Sequence, residues 1–215
     1  MTTRTLTPEL LDSLPPSHPD ALHSRRDLRW INWAMGNHRW FARTLPPLLH
    51  RGESALELGA GTGELGLRLL ARGVAVDGLD YCPRPARWPQ ARGWHVGDLR
   101  HFPHYAGYAA VCGNLILHHC TDAELAELGA TLRRSVRLIL VSEPTRSPRS
   151  QRLIALAGRA LGASRVTLHD AHVSIAAGFV GDELPRLLGL DPAEWEISCS
   201  TTFLGACRMR ARRRA

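Results

Sequence analysis

The chain has 215 residues, of which 44% are hydrophobic and 22% charged, so it is long enough for one globular domain and excludes extended disorder. Its net charge of +7 rests on arginine alone, because the sequence contains no lysine; a solvated surface accounts for this charge, with attraction for anionic substrates or nucleic acid as the alternative. No signal-peptide pattern opens the chain, no apolar run has the length of a membrane span, and the five cysteines lack paired spacing, which together predict a cytoplasmic protein with free thiols.

Residues 1–45 are predicted to form a helical cap or lid, ahead of a domain over residues 46–215. Apolar residues of the cap recur at helical spacing, and Gly36 is expected to divide it into two helices. Trp30 and Trp33 fall on one helical face, where core packing is the expectation and an aromatic lid over a substrate is the alternative.

Beyond the cap, short apolar runs alternate with helical patterns. Strands are predicted at 54–58, 74–80, 93–98, 108–114 and 136–144, and helices at 64–73, from 121 with a capping box (Thr121 and Glu124), and at 150–162. Alternating β and α units favour a parallel sheet covered on both faces. The sequence therefore predicts an α/β, doubly wound fold with a mainly parallel seven-stranded sheet, helices on both faces and an N-terminal helical cap.

The last third of the chain has weaker patterns. Residues 166–180 are predicted to be irregular, a helix is expected to start near Asp182, and two strands are expected around Thr201–Leu204. The basic run RMRARRRA, over residues 208–215, is predicted to be a frayed tail.

A glycine-rich segment, LELGAGTGELG, follows the first predicted strand. Gly61, Gly63 and Gly66 match the G-x-G-x-x-G pattern of dinucleotide-binding proteins, whereas Gly59, Gly61 and Gly63 match a tighter G-x-G-x-G. Both patterns bring backbone N–H groups close to a ligand at the start of a helix. The glycines alone therefore leave two cofactors open.

Three acidic residues narrow this choice. Asp80 ends the second predicted strand, where an acid accepts hydrogen bonds from ribose hydroxyls. Asp98 ends the third strand and is placed to accept from the exocyclic amine of adenine, which a dinucleotide fold does not require. Glu57, beside the first turn, would repel a pyrophosphate and favour an ammonium or sulfonium group. S-adenosylmethionine carries both of these cations.

In this order and spacing, LELGAGTGELG, VDGLDY, GDL and GNLILHH resemble the class I (Rossmann-like) S-adenosylmethionine-dependent methyltransferases of small-molecule type, over about residues 53–145. The resemblance implies S-adenosyl-L-methionine as cofactor, and we predict no metal site. By the same resemblance the cofactor residues fall into four groups: Glu57, Gly59, Ala60, Gly61 and Gly63 around the methionine part, Asp80 on the ribose with Tyr81 beside the adenine, Asp98 and Leu99 flanking the adenine, and Asn114 under the methionine end. The sequence lacks the Asn/Asp-Pro-Pro-aromatic tetrad after strand four, which argues against methylation of nucleic-acid bases.

Histidines are the candidate bases, since a methyl acceptor often has to lose a proton. His118 and His119 directly follow the fourth predicted strand, near the expected position of the methyl group, and one of them is expected to face the substrate. Family members with a similar Leu-His-His favour His118; a capping or packing role is the alternative for both. His169, next to Asp170, is a further candidate, for which plain loop structure and metal binding are the alternatives.

The expected function is S-adenosylmethionine-dependent methyl transfer to a small-molecule acceptor, in particular O-methylation of a phenolic or polyketide-like hydroxyl. The alternatives are C-methylation of a quinol precursor, an RNA or protein methyltransferase, a nicotinamide-dependent oxidoreductase, and a cofactor-binding subunit without catalysis. The expected partner is the acceptor itself, with neither a nucleic acid nor a membrane, and no oligomeric state is indicated.

Overall fold

A seven-stranded sheet organises the chain in a computed structural model that describes residues 3–15 and 17–214. Residues 1, 2 and 16 of the predicted cap and residue 215 of the predicted tail lie outside this described part. The strands are β1 (Ser54–Leu58), β2 (Ala75–Asp80), β3 (Trp94–Val96), β4 (Ala110–Asn114), β5 (Leu138–Pro144), β6 (Trp195–Thr201) and β7 (Ala206–Arg213). Their order across the sheet is β3-β2-β1-β4-β5-β7-β6.

The first five strands are parallel, whereas β7 runs antiparallel to both of its neighbours, β5 and β6. The carboxyl ends of the parallel strands therefore meet at one edge of the sheet, which is where ligands bind in open α/β sheets. The predicted α/β fold with a mainly parallel sheet of seven strands is confirmed.

The described helices are α1 (Leu10–Ser13), α2 (Pro19–Met35), α3 (Asn37–Thr44), α4 (Glu64–Leu70), α5 (Asp122–Ser135), α6 (Pro148–Ala160), α7 (Arg165–Ala177) and α8 (Glu183–Leu187). Gly36 separates α2 from α3, and the capping box of Thr121 and Glu124 opens α5, both as predicted. None of these helices in the described part of the chain is long and apolar enough to cross a membrane.

Two apolar clusters, one on each face, hold the helices against the sheet. Side chains of α3 and α4, such as Phe41 and Leu65, pack on one face with Ala55 of β1, while α5 and α8 cover the opposite face with Leu56. Successive side chains of a strand point to opposite faces, so Glu57, the next residue of β1, lies on the same face as Ala55. Every residue of β5 is buried, as expected for a strand covered on both sides.

The prediction of irregular backbone over 166–180 is wrong, because most of this segment forms α7. Ser164 caps the helix by accepting a hydrogen bond of 3.0 Å from the Thr167 N–H. The buried residues Val166, Thr167, Asp170 and Val173 share one face of α7, but two of the four are polar, so this face is not an apolar stripe. Periodicity therefore gives little signal for it.

The prediction of a frayed tail over 208–215 is also wrong, because β7 continues to Arg213. Met209 and Ala211 are fully buried on one face of the strand, and arginines alternate with them. Arg208 donates a hydrogen bond of 2.7 Å to the Met35 carbonyl. The basic run is thus part of an inner strand whose apolar residues are buried and whose arginines alternate with them.

The expectation that Trp30 and Trp33 pack in the core is wrong. Their exposed fractions are 64% and 70%, and their rings meet edge to face with centroids 5.8 Å apart. The aromatic pair therefore stands on the outer face of α2.

Candidate cofactor and acceptor site

The glycine loop connects β1 to α4 at the carboxyl edge of the sheet. Gly59, Gly61 and Gly63 have φ angles of 61°, 53° and 76°, a region that side chains with a Cβ rarely adopt. A Cβ at Gly59 would also lie 2.6 Å from the Ile116 side chain. Both the backbone path and the close approach of Ile116 therefore require glycine at the start of this loop.

Asp80 contacts the loop from the end of β2. Its Oδ2 accepts a hydrogen bond of 2.7 Å from the Gly61 N–H, and its Oδ1 accepts one of 2.7 Å from the Cys82 N–H. The neighbouring Tyr81 side chain is largely exposed. The carboxyl ends of β1 and β2 are thus joined through one half-buried carboxylate.

Asp98 follows β3 and is engaged by an arginine. Its carboxylate accepts hydrogen bonds of 2.8 Å from the Arg100 N–H and 2.9 Å from the guanidinium, and Arg100 also pairs with Glu124. The hydrogen bonds from Arg100 hold the pKa of Asp98 well below its usual value. Leu99 is buried, and its carbonyl accepts from the Tyr105 hydroxyl. An adenine amine at Asp98 would therefore share an ionised carboxylate with Arg100.

Glu57 lies beneath the loop, with only 4% of its surface exposed. Its Oε2 has no hydrogen-bond partner within the described part of the chain. Burial raises the pKa of this carboxyl to about 8; the backbone N–H of Gly66 opposes the rise and the charge of Asp80 adds to it. Glu57 is therefore largely protonated at pH 7, and repulsion of a pyrophosphate no longer separates the two cofactor hypotheses.

Gly66 completes the dinucleotide pattern, but its surroundings explain it by packing. A Cβ at this position would lie 2.5 Å from the Trp88 ring and 2.7 Å from the Glu57 Oε2. Gly66 lets α4 approach the sheet over Trp88, which is buried. It therefore carries no information about the ligand.

Asn114 ends β4 and ties the sheet to α2. Its Nδ2 donates a hydrogen bond of 3.0 Å to the Asn32 Oδ1, which also accepts one of 3.2 Å from the Asn37 side chain. Asn37 in turn accepts from the Ser142 hydroxyl at the end of β5, at 3.1 Å. The Oδ1 of Asn114 is buried without a hydrogen-bond partner among the described residues. A buried acceptor in this state suits a donor on a ligand.

A strained turn follows β4. Leu115 has a φ angle of 57°, which is unusual for a residue with a branched side chain. The turn directs the N–H groups of Ile116 and Leu117 to the Glu143 carboxylate, at 3.0 and 2.9 Å. Glu143 is fully buried in β5. It thereby fixes the backbone that carries the two predicted histidines.

His118 is buried and held by carboxylates. Its Nδ1 lies 2.7 Å from the Glu143 Oε2, and its Nε2 lies 3.5 Å from the Oε1 of Glu9. Burial alone lowers the pKa of His118, but the hydrogen bond to Glu143 and the nearby charges of Glu143 and Glu9 outweigh it and raise the pKa to about 9. At neutral pH His118 is therefore a fixed cation.

His119 has the opposite character. Its ring lies on that of His118, with centroids 4.3 Å apart, and about a third of its side chain is exposed. Burial and then the charge of His118 lower the pKa of His119 below 6.5. Of the two adjacent histidines, His119 is the one that has a free lone pair at neutral pH.

His169 lies within the helix α7 and not in a loop. Its Nδ1 is 3.1 Å from the Asp170 Oδ1, but Asp170 also accepts hydrogen bonds of 2.7 and 3.0 Å from the N–H groups of Leu10 and Leu11. His169 lines a cavity of about 280 Å³ between α6 and α7, together with His172. Asp170 thus anchors the N-terminal segment as well as pairing with His169.

Sequence reasoning did not single out Glu143 or Glu9. A carboxylate in the otherwise apolar strand LILVSEP is a usable signal for Glu143, because a buried acid requires partners. Glu9 lies more than 100 residues from the histidines in an exposed-looking segment. Its place in the site is visible only in three dimensions.

No protein-family profile matches this chain, and no curated protein matches it in sequence. Among solved structures, it is similar to the plantazolicin methyltransferase BpumL in complex with a triazolic desmethylPZN analog and SAH (10% identity, 95% of this chain and 93% of that one, TM-score 0.73). The chain has the fold of the class I S-adenosylmethionine-dependent methyltransferases. The resemblance found in the motifs is confirmed at the level of the fold.

Two further structures share this class I fold. The pyocyanin biosynthetic protein PhzM is 21% identical over 95% of this chain and 60% of its own, with a TM-score of 0.56. Magnesium protoporphyrin IX methyltransferase (ChlM) from Synechocystis PCC 6803, solved with bound SAH, is 17% identical over 89% of this chain and 83% of its own, with a TM-score of 0.51. The sheet of this chain departs from the strand order 3-2-1-4-5-6 of dinucleotide-binding folds, because the antiparallel β7 separates β5 from β6.

Proposed function

We propose that this protein transfers a methyl group from S-adenosylmethionine to a small-molecule acceptor, with a phenolic or polyketide-like hydroxyl as the preferred target. The observation that carries the proposal is the convergence of the glycine loop, Asp80, Asp98 and the orphaned Asn114 oxygen at one edge of a class I sheet. SAH in the structures of BpumL and ChlM supports the choice of cofactor.

In the proposed complex, the loop backbone from Gly59 to Gly63, including Ala60, holds the methionine part, and the free oxygen of Asn114 accepts from its ammonium group. Asp80 holds the ribose, with Tyr81 and the pair Asp98–Leu99 around the adenine. Asp80 already binds the loop through the Gly61 N–H. A ribose at Asp80 would therefore be bound by a carboxylate whose orientation is fixed before the ligand arrives.

The chemical step is an in-line displacement at the sulfonium. The acceptor oxygen would form a bond to the methyl carbon while the bond between that carbon and sulfur breaks. The electron pair of the breaking bond would go to sulfur, which would leave SAH. The hydroxyl proton must go to a base. We assign this role to His119, because His118 is held as a cation by Glu143 and Glu9 and positions its neighbour. His169 is the next candidate.

The cap supplies the proposed acceptor surface. Asn32 links α2 to Asn114 at 3.0 Å, and Trp30 and Trp33 on the same helix expose an edge-to-face pair of rings. Such a pair offers an exposed apolar surface for an aromatic acceptor. This supports residues 1–45 as a lid over the domain of residues 46–215.

Ligand-induced stabilisation tests the cofactor assignment. SAH at about 100 times its dissociation constant should stabilise the protein by about 2.7 kcal/mol, or about 5–10 °C in Tm for a domain of this size. NADH and NADPH should leave the Tm unchanged. Stabilisation by a nicotinamide nucleotide alone would show that the chain is not a methyltransferase.

A pair of variants tests the ribose contact. Asp80→Ala should lose the shift induced by SAH, whereas Asp182→Ala, which removes a largely exposed carboxylate paired with Arg186, should keep it. If Asp80→Ala responds to SAH like the parent protein, the ribose lies elsewhere.

A further inference from the structure

Three potential metal ligands converge where the N-terminal segment meets the turn after β4. The Nε2 atoms of His118 and His119 lie 3.5 and 3.9 Å from one oxygen of Glu9, and all three ligand atoms lie within 4.8 Å of one another. The Nε2 of His118 is buried, points into this cluster and has no hydrogen-bond partner in the described part of the chain. We propose that Glu9, His118 and His119 bind a divalent metal ion of the zinc type.

Two of the three ligand separations lie close to those of such an ion's site. A tetrahedral site with bonds of about 2.0–2.1 Å places neighbouring ligand atoms about 3.3–3.4 Å apart. The separations of 3.5 and 3.9 Å exceed this by a few tenths of an ångström. Two imidazoles and one carboxylate are a ligand set that zinc uses where a fourth position remains open.

A carboxylate behind His118 orients its ring, and a second carboxylate lies near His119. Glu143 accepts from the Nδ1 of His118 at 2.7 Å, and a metal ion would replace the proton that the Nε2, which faces Glu9 at 3.5 Å, carries in the metal-free form. Asp12 lies 3.9 Å from the Nδ1 of His119. A carboxylate on the far nitrogen of a ligating histidine fixes its tautomer and strengthens its donor atom.

The charges also favour a cation at this point. Glu9, Asp12 and Glu143 bring three carboxylates to two imidazoles. A bound divalent ion would balance them in a setting where His118 and Glu143 are buried from water.

Glu9 is held in place by contacts on either side of it. The Leu10 N–H donates to Asp170 at 2.7 Å, and the Ser174 hydroxyl donates to the Oε1 of Glu9. Earlier in the segment, Arg4 donates to the Ala177 carbonyl at 2.9 Å. The third ligand is therefore anchored to α7, although no sequence spacing connects it with the histidine pair.

This proposal stands apart from the proposed methyl transfer, because it rests on the cluster alone. A coordinated imidazole has no free lone pair. Metal binding and proton acceptance at His119 therefore exclude each other, and the base assigned above belongs to the metal-free form.

Zinc binding to the chelator-treated full-length protein tests the site. Equilibrium dialysis should give one tightly bound Zn²⁺ per chain, and Co²⁺ at the same site should give the visible d–d absorption of a low-coordinate complex. Glu9→Gln and His119→Ala should each weaken Zn²⁺ binding by more than about 10-fold. Changes to groups that only support metal ligands already cost about 10-fold, and loss of a ligand itself should cost more. His50→Ala, which removes an exposed histidine from the turn before β1, is the matched control and should bind like the parent protein.

Circular dichroism and thermal unfolding without metal establish that each variant is folded, and the two ligand variants provide independent tests if one of them is not. Zinc binding that is equal in the parent protein, Glu9→Gln and His119→Ala would overturn the proposal. So would the failure of the parent protein to bind Zn²⁺. SAH-induced stabilisation is measured separately, so failure of the metal site leaves the methyltransferase proposal intact.

Discussion

Replacing Glu57 with glutamine should remove a pH-dependent weakness of the ligand-free fold. Burial raises the pKa of Glu57 from 4.5 to about 8. A group with a raised folded-state pKa contributes fully below its unfolded-state value, and this contribution is lost as the pH rises through the folded-state value. Glutamine resembles the protonated acid in shape and does not titrate, so Glu57→Gln should be close to neutral at low pH.

The magnitude follows from the two pKa values. Each pH unit between 4.5 and about 8 removes up to about 1.4 kcal/mol from the free energy of unfolding, or about 5 kcal/mol in total. Relaxation around an ionised carboxylate reduces this figure, so the difference between variant and parent should grow by about 2–5 kcal/mol from about pH 5 to pH 8.5.

Urea denaturation followed by tryptophan fluorescence at several pH values measures this difference, since the chain has six tryptophans. Glu53→Gln is the control, because the hydrogen bond from Arg137 lowers the pKa of Glu53 to about 2. Glu53 stays ionised above about pH 5.5 in both folded and unfolded chains, so its variant should show a constant difference across this range. A pH-independent difference for Glu57→Gln would refute the burial argument.

Three further changes test other parts of the structure. Gly66→Ala should lower the free energy of unfolding, measured by urea denaturation, by about 1–3 kcal/mol, because the new Cβ would lie 2.5 Å from the Trp88 ring. Gly107→Ala is the control and should be near neutral, because open space surrounds Gly107. Equal effects of the two changes would contradict the packing role of Gly66. A chain ending at Cys207 should lose cooperative unfolding in calorimetry, because most of β7 is removed, and an intact transition would contradict the inner position of that strand. His119→Ala should lower kcat by about 10²–10⁴-fold, and the parent's rate should fall as the pH drops through the lowered pKa of His119; a fully active variant would exclude this base.

Local patterns predicted the parts of the fold that depend on local physics. Short, mostly apolar runs identified β1 and β5, because strands covered on both faces need few polar residues. The capping box identified the start of α5, because its two hydrogen bonds lie within one helical turn and are visible in the local sequence. The positions of Asp80 and Asp98 at one edge followed from parallel strands.

Long-range contacts set the features that the patterns did not predict. Glu143 and His118 are 25 residues apart and meet only because β4 and β5 pair. The buried face of α7 includes the polar residues Thr167 and Asp170, so its apolar periodicity is weak. The prediction of a frayed tail over 208–215 rested on charge alone. Met209 and Ala211 alternate with arginines in that run, and this alternation is typical of a strand.

The placement of β7 between β5 and β6 makes the outermost strand depend on its neighbour for its place in the sheet. β6 meets the sheet only through β7, and the two are joined by a turn that Gly205 and Thr202 close. This hairpin is a local pairing, whereas each parallel pair in the sheet requires a long crossover. Without the hairpin, the largely apolar β5 has one open edge, and an open edge is a template for pairing with other chains. In the native sheet the last two strands therefore cover an edge of β5 that other chains would otherwise find open.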